Sequence, residues 1–185
     1  MTLPSEIAQA AAELAHAAAA TDPGELAALS TALTSAKHIV TYGCGREGLM
    51  LRALTMRLYH LGLDAHVMGD MACPPVGPGD LLLTSSGPGS LSTVAALIAQ
   101  AKTAGAITAC ITAQPMGPDP IACDLILTIP AQTMANDQTA TAALLPMGSV
   151  FEGAQYLIFE ILVLHLCDAL GQSPAQLRAR HTNLE

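Results

Sequence analysis

Apolar positions recur along this chain with two different periods. Residues 5–20 and 23–35 carry Ala and Leu at helical spacing, and Asp22 before Pro23 supplies an N-cap and a first helical position for the second segment. Short unbroken apolar runs then follow at 38–43, 64–69, 80–86, 106–112 and 124–130. Between the first four of them, 47–61 and 90–103 have helical spacing and are closed by Gly62 and Gly105. The Pro-rich connection before the last run leaves room for one short helix. Strands apolar on both faces that alternate with helices predict an α/β fold with a five-stranded parallel sheet flanked by helices. Residues 132–145 show no strong period, 146–170 read as one long helix stopped by Gly171, and 171–185 as a last helical turn with an extended end.

At 185 residues the chain fits one domain, with N-terminal helices over 1–36, an α/β core over 37–170 and a tail over 171–185. The composition is 51% hydrophobic and only 12% charged, which excludes disorder and predicts apolar surface covered by other subunits. The net charge of −8, with no run of basic residues, argues against nucleic acid as a partner. A negative protein still binds a phosphorylated metabolite when backbone N–H groups at a helix start supply the positive field. Cysteines 44, 73, 110, 123 and 167 form no CxxC pair and no zinc spacing, and read as buried thiols of a reducing compartment. The N-terminus lacks the pattern of a signal peptide, so a cytoplasmic location is expected. The apolar stretch 150–170 carries Glu152, Glu160, His165 and Asp168, charges costly in a bilayer, and reads as a core helix rather than a membrane span.

Three segments carry candidate chemistry. Gly43, Gly45 and Gly48 form G-x-G-x-x-G between a strand and a helix, where glycines let phosphate approach backbone N–H groups or simply permit a tight turn. A dinucleotide reading would use Asp70, beyond the second strand. The loop from Thr84 to Thr93 follows the third strand, at the end where α/β sheets bind ligands. Its Ser85, Ser86, Ser90, Ser92 and Thr93 hydroxyls can donate to an anion, Gly87 and Gly89 leave room for one, and Ser90 can equally cap the next helix. Glu152 lies one turn into the long helix, where burial would make it a general base, or where it merely favours the positive end of the helix dipole. Glu160 reads as the partner of an arginine across an interface. His181 ends the chain as an acid or base near neutral pH, while His60 and His66 read as structural.

The G-C-G-R-E-G turn, M-R-L-Y-H-L-G at 56–62, the S-G-x-G loop, L-P-M-G-S-V-F-E and the terminal R-H-T-N-L-E together resemble the 6-phospho-3-hexuloisomerases of the SIS (sugar isomerase) superfamily. The resemblance runs from about residue 38 to 185 in unchanged order. It implies a three-layer flavodoxin-like fold, a homotetramer with shared active sites, and an intramolecular oxidoreductase of carbohydrate metabolism. That isomerase would interconvert a 3-hexulose 6-phosphate and fructose 6-phosphate through an enediol, with no cofactor. Matched by motif, Glu152 would be the base, and His181, delivered from a neighbouring subunit's tail, would assist proton transfer to oxygen or ring opening. Arg46, with Gly43, Gly45 and the loop residues Ser85, Ser86, Gly87, Gly89, Ser90 and Ser92, binds the sugar phosphate. The chain departs from the family's S-G-S-G-E-T loop at Pro88 and Leu91, which removes two hydroxyls and one N–H from the expected phosphate cradle. Two alternatives stay open: an isomerase of another phosphorylated or acidic sugar, and a sugar-phosphate-binding module without catalysis, against which stands the absence of a basic helix-turn-helix segment.

Overall fold

The computed structural model describes residues 2–136 and 143–184. Part of the aperiodic stretch 132–145 and the terminal Glu185 therefore lie outside the described residues. The elements run α1 (Leu3–Ala19), α2 (Pro23–Ser35), β1 (Ile39–Gly43), α3 (Gly45–His60), β2 (Ala65–Val67), β3 (Leu81–Ser85), α4 (Ser92–Thr103), β4 (Ile107–Thr112), α5 (Pro118–Ala122), β5 (Leu125–Thr128), α6 (Ser149–Ala169) and α7 (Pro174–Ala179). Asp22 caps α2 as expected, accepting from the Gly24 and Glu25 amides at 2.7 and 3.0 Å.

All strand pairs are parallel, in the order β2-β1-β3-β4-β5. That is the flavodoxin-like order, and it follows from right-handed crossovers that run to one side after β1 and to the other after β3. Because side chains alternate across a strand, Ile39, Leu81, Leu83, Ala109 and Ile111 join α1, α2, α3 and α6 in one large core. Val40 and Leu82 point the other way, toward Ala101 of α4 and Ala106. The two faces are thus unequally covered.

α6 is apolar and long enough to cross a membrane, but half of its most apolar window is buried inside the fold. Phe151, Ala154, Ile158, Leu162 and Leu166 stack along its inner face in the main core. α1 packs on it so closely that a Cβ at Gly153 would stand 2.6 Å from Leu14 Cδ2. The start of α6 is thereby held against the sheet.

Candidate active site

The crossover direction reverses between β1 and β3, so the loops leaving these strands splay apart and leave a crevice at their carboxyl ends. A cleft of about 510 Å3 lies there, lined among others by Arg46, Glu47, Pro88, Leu91, Ser149 and Glu152. Its first wall is the glycine turn. A Cβ at Gly43 would come within 2.9 Å of the Gly48 amide nitrogen, so this pair lets strand and helix backbones cross closely. Gly45, at φ +56°, has open space around it and is a glycine for its left-handed backbone.

Arg46 joins the start of α3 to the start of α6. Its Nη1 donates to Ser149 Oγ at 2.8 Å and its Nη2 to the carbonyl of Met147 at 2.6 Å, with Nη2 also 3.0 Å from Glu152 Oε2. Met147 holds φ +55°, a conformation that costs on the order of 1 kcal/mol for a residue with a side chain and is fixed here by the guanidinium. Glu152 is mostly buried. Burial raises its proton affinity above the ordinary carboxylate value; Arg46 opposes that rise and the charge of Glu47 adds to it. Among the described residues its Oε2 meets the Arg46 guanidinium as an ion pair and accepts no aligned hydrogen bond.

The loop after β3 is organised differently. Ser85 Oγ donates to Glu47 Oε2 and accepts from Gln155 Nε2 at 2.7 Å, and the Gly87 amide donates to the same Glu47 oxygen at 2.9 Å. Ser86 Oγ and the Leu91 amide both donate to Asp119 Oδ2, at 2.6 and 2.7 Å. Burial raises the pKa of Glu47, and the Ser85 and Gly87 hydrogen bonds offset part of the rise. Gly89, at φ +78°, packs on Gly117. Ser90 does not cap α4: the N-cap is Leu91, whose amide is drawn to Asp119, and the helix starts at Ser92. Ser90 and Ser92 are exposed and do not line the cleft.

Of the expected site residues, then, Gly45, Arg46 and Glu152 meet in the cleft, while Ser85 and Ser86 are turned to internal carboxylates. Glu47, Asp119, Gln155 and Ser149 belong to the same constellation, and reading the sequence alone misses them. The one signal for Glu47 is an acidic residue inside a turn that otherwise reads as an anion cradle.

His181 lies elsewhere in the chain. Its ring is 5.3 Å from that of His60, beside Met56, Tyr59 and Arg180. His60 ends α3 and Arg46 lies in its first turn, so at 1.5 Å per residue the two are about 20 Å apart along the helix. Within one chain the structure does not bring His181 to Glu152. Glu160 pairs with Arg57 of its own chain at 3.3 Å. Asp70 is exposed and 3.6 Å from Arg52. All five cysteines are free, and only Cys110 is buried, the other four being half-buried rather than buried as expected.

Among known proteins, the chain is 32% identical to the 3-hexulose-6-phosphate isomerase of Bacillus subtilis (strain 168) over 97% of each chain. It is 36% identical to the protein of the same name from Mycobacterium gastri, over 94% of this chain and 86% of that one. A solved structure from Methanococcus jannaschii, for which a molecular function of 3-hexulose-6-phosphate isomerase has been inferred, superposes with a TM-score of 0.84 at 24% identity, covering 98% of this chain and 99% of that one. The SIS domain family model matches residues 32–154, the span that contains both walls of the cleft, and the chain belongs to the SIS domain family.

Proposed function

We propose that the chain is a sugar-phosphate isomerase, an intramolecular oxidoreductase that converts a 3-hexulose 6-phosphate to fructose 6-phosphate. The observation that carries this reading is Glu152: a cleft carboxylate with raised proton affinity, paired with a guanidinium 3.0 Å away and accepting no aligned hydrogen bond on Oε2 from the described residues. The names of the two relatives, similar over nearly the whole chain, agree with it.

The reaction moves a ketone by one carbon. Glu152 removes the proton on C2 of the 3-ketose, the C–H electron pair becomes the C2–C3 double bond of an enediolate, and negative charge collects on O3. Arg46 stands where a positive charge steadies such an oxyanion. Transfer of the O2 proton to O3 moves the negative charge to O2, and return of the carbon-bound proton from Glu152 to C3, as the C2–O2 bond becomes the carbonyl, gives the 2-ketose. A base raised from the usual carboxylate range by burial suits proton transfer from carbon near neutral pH.

We further propose a cytoplasmic homo-oligomer, a tetramer with shared sites. Leu49, Met56 and Tyr59 of α3, with Tyr156, Ile161 and Leu164 of α6, leave a broad apolar surface exposed. Covering it with a second copy is also what would carry a neighbour's His181 toward Glu152. The described elements are read as one domain, and five free thiols suit a reducing compartment.

The test is direct: supply 3-hexulose 6-phosphate and follow fructose 6-phosphate by NMR. Steady production by the wild type supports the proposal. Binding of the sugar phosphate without turnover would instead favour a non-catalytic module.

A further inference from the structure

Glu47 is a cleft carboxylate to which the isomerisation gives no proton to move, although its charge adds to the raised proton affinity of Glu152. We infer that it is the specificity residue at the 85–91 end of the cleft, a built-in anion that holds the loop's hydrogen-bond donors and so works against a phosphate there. This rests on the isomerase reading only for the identity of the substrate.

The loop's donors can be followed one by one. Ser85 Oγ and the Gly87 amide go to Glu47 Oε2. Ser86 Oγ and the Leu91 amide go to Asp119 Oδ2. Pro88 has no N–H, the Ser86 amide donates to the Ile111 carbonyl, and the Gly89 amide donates to the Ser86 carbonyl. Within 85–91, Ser90 alone keeps donors without a partner among the described residues, and it is exposed and outside the cleft lining; Ser92 and Thr93, whose amides open α4, are exposed and outside that lining too. A loop in which two carboxylates accept these hydrogen bonds already has its anions.

The two carboxylates differ in what a ligand would meet. Asp119 is 2% exposed and lies behind the loop, tying α5 to it. Glu47 lines the cleft. Its Oε1 stands 2.8 Å from where a Cβ of Gly87 would be, and Phe151 Cε1 stands 2.9 Å from the same point, so carboxylate and ring together fill the space that the glycine opens. The adjoining wall is Pro88 and Leu91, apolar side chains that cannot replace the donors Glu47 holds. Among the described residues the one cation of the lining is Arg46, already engaged with Ser149, Met147 and Glu152. A phosphate dianion entering here must displace Glu47 from Ser85 and Gly87 while facing its charge.

The test uses inorganic phosphate as the probe and calorimetric titration of the wild type, Glu47→Gln and Glu47→Ser. Glutamine keeps an oxygen for both donors and removes the charge; serine also vacates the space. Phosphate binding is expected to tighten at least tenfold in Glu47→Ser and by a smaller factor in Glu47→Gln. The KM for fructose 6-phosphate should fall in the same order, while binding of unphosphorylated fructose should not tighten. Equal phosphate affinity in all three proteins, or weaker affinity in the variants, overturns the inference. If Glu47→Ser fails to fold, Glu47→Gln decides alone, since a mere brace for the loop would leave phosphate affinity unmoved. Tightened phosphate binding with no isomerisation by any of the three would sink the isomerase reading and leave this one standing. Isomerisation with unmoved phosphate affinity and KM would do the reverse.

Discussion

Two carboxylates face one cleft and are held in opposite ways. Glu47 receives a serine hydroxyl and a backbone amide on a single oxygen, with Gln155 bracing the serine from behind. Glu152 pairs with the Arg46 guanidinium, and its Oε2 accepts no aligned hydrogen bond from the described residues. Burial raises the proton affinity of both, but only in Glu47 is part of that rise offset by hydrogen bonds to the charged form. The difference teaches how to tell an occupied carboxylate from a base: an oxygen already taken by the chain's own donors is held in place, and one that accepts no aligned hydrogen bond can take a proton from a ligand.

The contrast can be broken at either end. Replacing Glu152 by Gln should have the largest effect, lowering turnover by about 10²- to 10⁴-fold with no loss of thermal stability, as steady-state kinetics and a melting curve would show. Next comes Arg46→Met, which removes the charge that lowers the Glu152 pKa. Turnover should fall by about 10-fold or more, and the acid limb of the pH–rate profile should move to higher pH, because the base must now be deprotonated against a higher pKa.

Ser85→Ala acts on the other carboxylate. It leaves Glu47 and Gln155 without their shared partner in a buried place, at a cost of about 1–3 kcal/mol in urea unfolding. The smallest effect belongs to the pH dependence of stability. Glu47 has a raised pKa in the fold, so the folded chain binds its proton more readily than the unfolded chain does. Its contribution is therefore full below the ordinary value of 4.5 and is lost as pH rises through the raised folded value. Glu47→Gln removes that titration, so the stability of the wild type relative to the variant should decline as pH rises through this window. Each tenfold difference in proton affinity between the folded and unfolded chain is worth about 1.4 kcal/mol of that decline. A flat difference would mean that folding leaves the proton affinity of Glu47 unchanged.

The fold is legible in the sequence because hydrophobic period and punctuation are local properties. Five apolar runs become five strands within one or two residues, and Asp22-Pro23 opens α2. Glu152 is legible too, because a carboxylate in an apolar helix stands out in one dimension. The constellation around it is not. Glu47 meets Ser85 across 38 positions, Asp119 meets Ser86 across 33 and Gln155 meets Ser85 across 70, separations that only the sheet order brings to contact distance. The loop serines do donate to anions, as their pattern suggests, yet the anions they reach belong to the chain itself. His181 stands out by residue type alone, and its place beside His60 depends on how α7 folds back on α3.

The central claim is that Glu152 takes a proton from carbon, and the most direct measurement is the position of deuterium in fructose 6-phosphate incubated with the enzyme in D2O. The account predicts label at C3, the carbon whose proton is removed in the reverse reaction, with none acquired when Glu152 is replaced by Gln. Label confined to C1, or label at C3 that survives the Glu152→Gln substitution, would contradict it.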